Sequence, residues 1–148
     1  MQKHKDLLIE GSTKLGIELS VEKIEKLLHY LELIIKWNKV HNLTTIDDPS
    51  EGVKKHLLDS LSILSFIKKG RILDVGSGAG LPGIVIALMR DDVDVASIYS
   101  VGKKCRFMEH ASLHLNLGNF NVLLLSLPLR PQTPDGDGES GRGPGLAN

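Results

Sequence analysis

A single cysteine, Cys105, removes disulfide frameworks and cysteine-rich metal sites from consideration. No apolar run approaches the roughly 20 residues needed to cross a bilayer. The first residues, Met1-Gln2-Lys3-His4-Lys5, lead straight into a mixed charged stretch without the apolar core of a signal peptide. The expectation is a soluble, cytoplasmic chain. Charge of one sign is missing as well: 18 basic and 18 acidic residues cancel, so any nucleic-acid contact must come from local patches. Internal repeats are absent. What the sequence does have is 41% hydrophobic residues over 148 positions, enough for one domain's core.

Three regions differ in character. Residues 1–67 read as helices. Ser20 is an N-cap candidate ahead of Ile24, Leu27, Leu28, Leu31, Ile34 and Ile35, which recur at helical spacing. That helix should bury this stripe, expose Glu22, Lys26 and Lys36, and end near Trp37-Asn38. A second start lies at Asp48-Pro49-Ser50-Glu51, an Asp cap with Pro at the first helical position. Its apolar face is Val53, Leu57, Leu61 and Leu64. Residues 68–126 alternate strand and helix: strand Arg71–Val75, a glycine turn, helix Leu81–Met89, strand Val93–Tyr99, helix Lys103–Leu115 and strand Phe120–Leu125. This is the pattern of a parallel α/β sheet. Residues 127–148 hold four of the six prolines, five glycines and no aromatic residue. Such a tail buries too little apolar surface to offset its ordering entropy, and disorder is expected.

Gly76-Ser77-Gly78-Ala79-Gly80 follows a strand and opens a helix. Without Cβ atoms the backbone can turn sharply and a ligand can approach closely, while the helix start offers free N–H groups. The plain alternative is a tight strand-to-helix turn with no ligand. Gly78-Ala79-Gly80-Leu81-Pro82-Gly83 also fits the dinucleotide pattern G-x-G-x-x-G. There, however, the first glycine should directly follow the strand, and Gly78 comes too late. Asp74 before the turn fits the D-x-G-x-G-x-G pattern of methyltransferases better, its carboxylate anchoring the turn or accepting a bond from the cofactor's amino acid moiety.

Four blocks together resemble the small-subunit ribosomal RNA methyltransferase G family, also called glucose-inhibited division protein B. They are Trp37-Asn38 with Asn42-Leu43-Thr44, Lys55-His56-Leu57-Leu58-Asp59-Ser60-Leu61, Asp74 to Ile84, and Ser100 to Met108. The match runs over about residues 5–125. The resemblance implies a Rossmann-like S-adenosylmethionine-dependent methyltransferase fold with an N-terminal helical extension, and methylation of guanine N7 in 16S ribosomal RNA. It places the methyl donor on Gly76 and Leu81, and together with the turn and the end of the second strand the candidate cofactor contacts are Asp74, Gly76, Ser77, Gly78, Gly80, Leu81, Tyr99 and Ser100. His56, Asp59 and Ser60, at helical i, i+3 and i+4 spacing, would sit at the pocket rim; on spacing alone they also fit a solvated face with an internal hydrogen bond. Lys54, Lys55, Lys103, Lys104 and Arg106 would meet RNA phosphates, although each cluster also fits an ordinary solvated surface. Lys68, Lys69 and Arg71 form another basic cluster of the same kind. Guanine N7 needs no deprotonation, so the expected chemistry is alignment of nucleophile and methyl group, with no catalytic side chain and no metal.

The sequence departs from that family at two places. The second strand should end in an acidic residue for the ribose hydroxyls, and Tyr99 stands there; a phenol carries no charge at neutral pH. The resemblance also stops near Leu125, before the fourth strand of a sheet ordered 3-2-1-4-5, which leaves the sheet incomplete after its third strand. A frameshift or truncation is the reading. Strand 71–75 would then become a bare hydrophobic edge open to self-association, where a complete member would be monomeric. Competing readings are an NAD-dependent oxidoreductase and a non-catalytic fragment. Trp37 and Tyr30 read as packing residues, and His110 and His114 as surface residues without a third metal ligand.

Overall fold

A computed structural model of the chain describes residues 2–75, 81–99 and 102–124, with the side chains of Tyr99, Lys103 and Leu124 outside the description. Helix α1 (Gln2–Lys14) precedes the long helix α2 (Val21–His41). The Ser20 hydroxyl accepts the Lys23 N–H at 3.1 Å and so caps α2, and the stripe from Ile24 to Ile34 is buried as its spacing requires. Glu22 and Lys36 are exposed and Lys26 partly so. The expected stop at Trp37-Asn38 is corrected: α2 runs to His41. There Asn42 takes left-handed geometry (φ 50°) and its N–H bonds the Asn38 carbonyl. Asn38 is buried and turns its side-chain oxygen to the Thr44 N–H at 2.8 Å, so its polar group serves the loop from within the helix.

The segment from Asp48 is helical but uneven. Asp48 accepts the Glu51 N–H at 3.2 Å, with Pro49 in the first turn. Helix α3 (Pro49–Gly52) passes into a π-helical stretch (Val53–Leu58), in which the Asp59 N–H reaches back to the Lys54 carbonyl, and then into α4 (Asp59–Leu61) and a 3₁₀ turn (Leu64–Phe66). The wider turn keeps residues spaced by four on one side, and Val53, Leu57, Leu61 and Leu64 are all buried. Gly52 permits α3 to approach α2, since a Cβ there would stand 2.5 Å from the Leu31 methyl.

Strands β1 (Gly70–Val75), β2 (Val93–Tyr99) and β3 (Phe120–Leu124) form a parallel sheet in that order. They alternate with α5 (Gly83–Met89) and α6 (Gly102–His114). The helix expected from Leu81 begins at Gly83, because Pro82 (φ −87°, ψ 2°) lies outside helical geometry. Val93, Val95, Ser97 and Phe120 point into the helical side and are buried, as period-two alternation demands. The other face carries Leu73, Val75 and Leu123, which are 58%, 69% and 48% exposed. Among the described strands β1 pairs only with β2, so it forms the edge. Helix α2 packs over both α5 and α6, and α4 also packs on α5, giving a layer of sheet, a layer of two helices and a covering layer from the N-terminal third.

Side chains lock these layers at the bottom of the sheet. The Asn119 amide donates to the carbonyls of Ala87, Arg90 and Val93 at 3.2, 2.8 and 2.8 Å, tying the end of α5 to β2 and the entry to β3. Arg90 donates to the Ile67 carbonyl at 2.9 Å and pairs with Asp92 at 2.8 Å. Lys23 of α2 donates to the Met89 carbonyl at 3.0 Å, a cation at the negative end of α5. No helix among the described residues is long and apolar enough to cross a membrane.

Candidate functional site

The carboxyl end of a parallel sheet is where chain reversals leave a crevice. Asp74 stands there, on the penultimate residue of β1 and opposite Ser97 of β2 in register. The fully buried Ser97 hydroxyl donates to the Asp74 Oδ2 at 3.2 Å. Directly over this pair lies Gly83, the first residue of α5. A Cβ at Gly83 would stand 2.7 Å from Asp74 Oδ2 and 3.0 Å from Ser97 Oγ. Strand, neighbouring strand and helix start therefore meet around one half-buried carboxylate, with no room for another side chain. Such a group can accept a bond from an ammonium or from backbone N–H groups. Sequence reading singled out Asp74 but missed Ser97 and assigned Gly83 only to a motif. The signal for Ser97 was a polar residue at an inward-facing strand position.

The glycine turn itself, Gly76, Ser77, Gly78 and Gly80, lies outside the described residues, as do Ser100 and the side chains of Tyr99 and Lys103. Leu81 is half-buried and packs against the core ahead of α5. The backbone of Tyr99 ends β2, paired with Leu124, while Asp94 sits at the opposite end of the strand.

His56, Asp59 and Ser60 do not share one environment. His56 and Ser60 are buried, 8% and 6% exposed, and Asp59 is exposed. The solvated-face alternative is thus corrected for two of the three. His56 lies in the π-helical stretch, and its Nε2 is buried without a hydrogen-bond partner among the described residues. Burial pulls its pKa below the ordinary 6.5, against a smaller opposing effect of the Asp59 carboxylate. Ser60 belongs to α4, which packs on α5, so this block is joined to the helix that opens over Asp74. Lys54 and Lys55 are exposed on the π-helical stretch, and Lys55 pairs with Glu51 at 3.5 Å. Arg106 is exposed and Lys104 half-buried on α6. Among the described residues no His, Cys, Asp and Glu cluster could hold a metal. Tyr30 is fully buried, as its packing role requires. His114 is exposed, but His110 is only half-exposed and packs its ring, tilted by 40°, against Trp37, a correction to the reading of both as surface residues.

Residues 23–128 match the family described as GidB, rRNA small subunit methyltransferase G. The chain belongs to that family. Ribosomal RNA small subunit methyltransferase G of Ruthia magnifica is 56% identical over 79% of this chain and 58% of its own length. The protein of the same name in Methylobacillus flagellatus is 53% identical over 76% of this chain and 55% of its own length. That of Ectopseudomonas mendocina is 46% identical over 95% of this chain and 67% of its own length. The last alignment reaches into the segment after Leu125, past the limit drawn from motifs alone. The chain spans little more than half the length of the first two relatives. Membership in the methyltransferase G family establishes the Rossmann-like fold class, of which the parallel sheet β1-β2-β3 is the described part.

Proposed function

We propose that this chain carries the methyl-donor side of an enzyme that transfers a methyl group from S-adenosylmethionine to guanine N7 of 16S ribosomal RNA. The observation that carries the reading is the Asp74 carboxylate, held by Ser97 under Gly83 just ahead of the glycine turn. The donor set fits the cofactor. A fixed carboxylate suits its ammonium group, and bare glycine backbone suits its adenosine. Asp74, Gly76, Ser77, Gly78, Gly80 and Leu81 would hold it, with Tyr99 and Ser100 toward the ribose. His56, Asp59 and Ser60 would form the rim. Lys54, Lys55, Lys103, Lys104 and Arg106 would meet phosphates of the RNA. When bound, the sulfonium supplies an activated methyl group. The protein's part is to hold it in line with N7 and keep water away. A ribosomal substrate places this work in the cytoplasm. We further propose that the β1 edge, unpaired on one side among the described strands, lets the 148-residue chain associate with itself.

Calorimetric titration with S-adenosylmethionine and with NADH tests the reading. Heat with the former and none with the latter is the expected result. Gly83→Ala, which pushes on Asp74, should weaken donor binding and lower stability by about the 1–3 kcal/mol that overpacking costs. Binding of NADH alone would replace the proposal with an oxidoreductase, and radiolabelled methyl transfer to 30S subunits reads the activity directly.

A further inference from the structure

Away from the sheet's carboxyl end, α2 and α6 enclose a groove of about 430 Å³ with an unusual lining. Helix α2 contributes His29, Lys36, Trp37 and His41 beside the aliphatic Leu33 and Val40, and α6 contributes His110 and His114. The two helices run antiparallel, because Trp37 meets Phe107 and His110 while His29 meets His114. The rings form a continuous series. His41 and Trp37 are 4.9 Å apart between centroids, Trp37 and His110 5.0 Å, His110 and His114 4.0 Å, and His114 and His29 6.4 Å.

A helix–helix seam needs apolar side chains, and four imidazoles are a poor way to fill one. Two further observations set the seam apart. The Trp37 Nε1 is buried and has no acceptor among the described residues. The groove lining includes Lys36 and no Asp or Glu, so its charge is of one sign. A metal is not indicated: His114 Nδ1 faces the His110 carbonyl at 3.0 Å, and no metal-binding cluster exists among the described residues. Burial lowers the His110 pKa first, and the neighbouring His114 and Lys36 lower it further, as expected where the local potential is positive.

We infer that the α2–α6 groove is a contact surface for single-stranded RNA, stacking a base on the Trp37–His110 rings and holding a phosphate near Lys36. Stacked rings interleaved with a cation are how proteins bind unpaired nucleotides. The inference rests on RNA being the substrate class, and adds a site on the helical layer that the glycine turn does not include.

The test uses the whole 148-residue chain, in which Trp37 is the only tryptophan. A labelled single-stranded RNA oligonucleotide is titrated while RNA anisotropy and Trp37 fluorescence are followed together. The expected result is saturable quenching with the same midpoint as the anisotropy. Lys36→Glu, at an exposed position, should weaken binding about tenfold and flatten its salt dependence, since it replaces a phosphate contact by a repulsive charge. His110→Ala should reduce the quenching, with thermal melting checking that the variant is folded. RNA binding without any change at Trp37 and with Lys36→Glu unaffected would overturn the groove and leave the substrate class standing. No RNA binding at all would overturn both. Equal quenching by polyglutamate would reassign the groove to acidic peptides.

Discussion

His56 shows how one side chain can set a pH response. Its ring is buried and its pKa is lowered from 6.5, mainly by desolvation. The folded state therefore prefers the neutral ring more strongly than the unfolded chain does. Its contribution to stability is complete above 6.5 and is lost as pH falls through the depressed value in the folded state. His110 is shifted in the same direction and adds to the same trend. Urea midpoints should thus decline on acidification from neutral pH. His56→Phe should flatten part of that decline, and because it also removes an unpartnered buried nitrogen it should cost little at neutral pH. An unchanged slope in His56→Phe would remove His56 from the explanation. Ser97 teaches a related lesson at the same scale. Its hydroxyl matters because Asp74 stands beside it on the neighbouring strand, and that neighbour follows from register, not from sequence distance.

At the scale of elements, the ends are decided by small polar groups. Ser20→Ala removes the side-chain acceptor of the Lys23 N–H and should lower stability by roughly 0.5–2 kcal/mol, read by denaturant unfolding. A loss well below that range would mean that water replaces the cap without cost. The local signals that define such ends were legible in the sequence: Ser20, Asp48 with Pro49, and the β2 span Val93–Tyr99 all stand where pattern placed them. The same local signals misled at the end of α2. Asn38 resembles a stop signal, but tertiary packing buries it and turns its amide to Thr44. The π-helical stretch was invisible to periodicity, since spacing by four suits both kinds of turn. The ring series of the α2–α6 groove was equally hidden, because residues 29–41 and 110–114 meet only through the packing of two distant helices. At the candidate site, spacing singled out Asp74, which stands at the carboxyl end of β1, whereas the roof at Gly83 needed the third dimension.

Among the described residues the molecule is one-sided. Both sheet-packing helices lie against the inward-facing side that carries Val93, Val95 and Phe120, and the N-terminal layer covers those helices, while Leu73 and Val75 remain outside on the edge of the described sheet. Edges of this kind recruit partners through backbone pairing and apolar contact. Sedimentation of the 148-residue chain should show dimers or larger species that grow with concentration. Leu73→Lys should shift the distribution toward monomer, because a charge on the edge opposes pairing. A monomer at all concentrations, with or without the substitution, would set this prediction aside.

The order β1-β2-β3 also has a consequence for synthesis on the ribosome. Each described strand docks on the one made just before it, and each connecting helix settles beneath a layer already translated. Nothing in this arrangement requires a later strand to slip between two earlier ones. The nascent polypeptide can therefore condense in the order in which it emerges, with its helical flank closed and the β1 border still open to whatever arrives next.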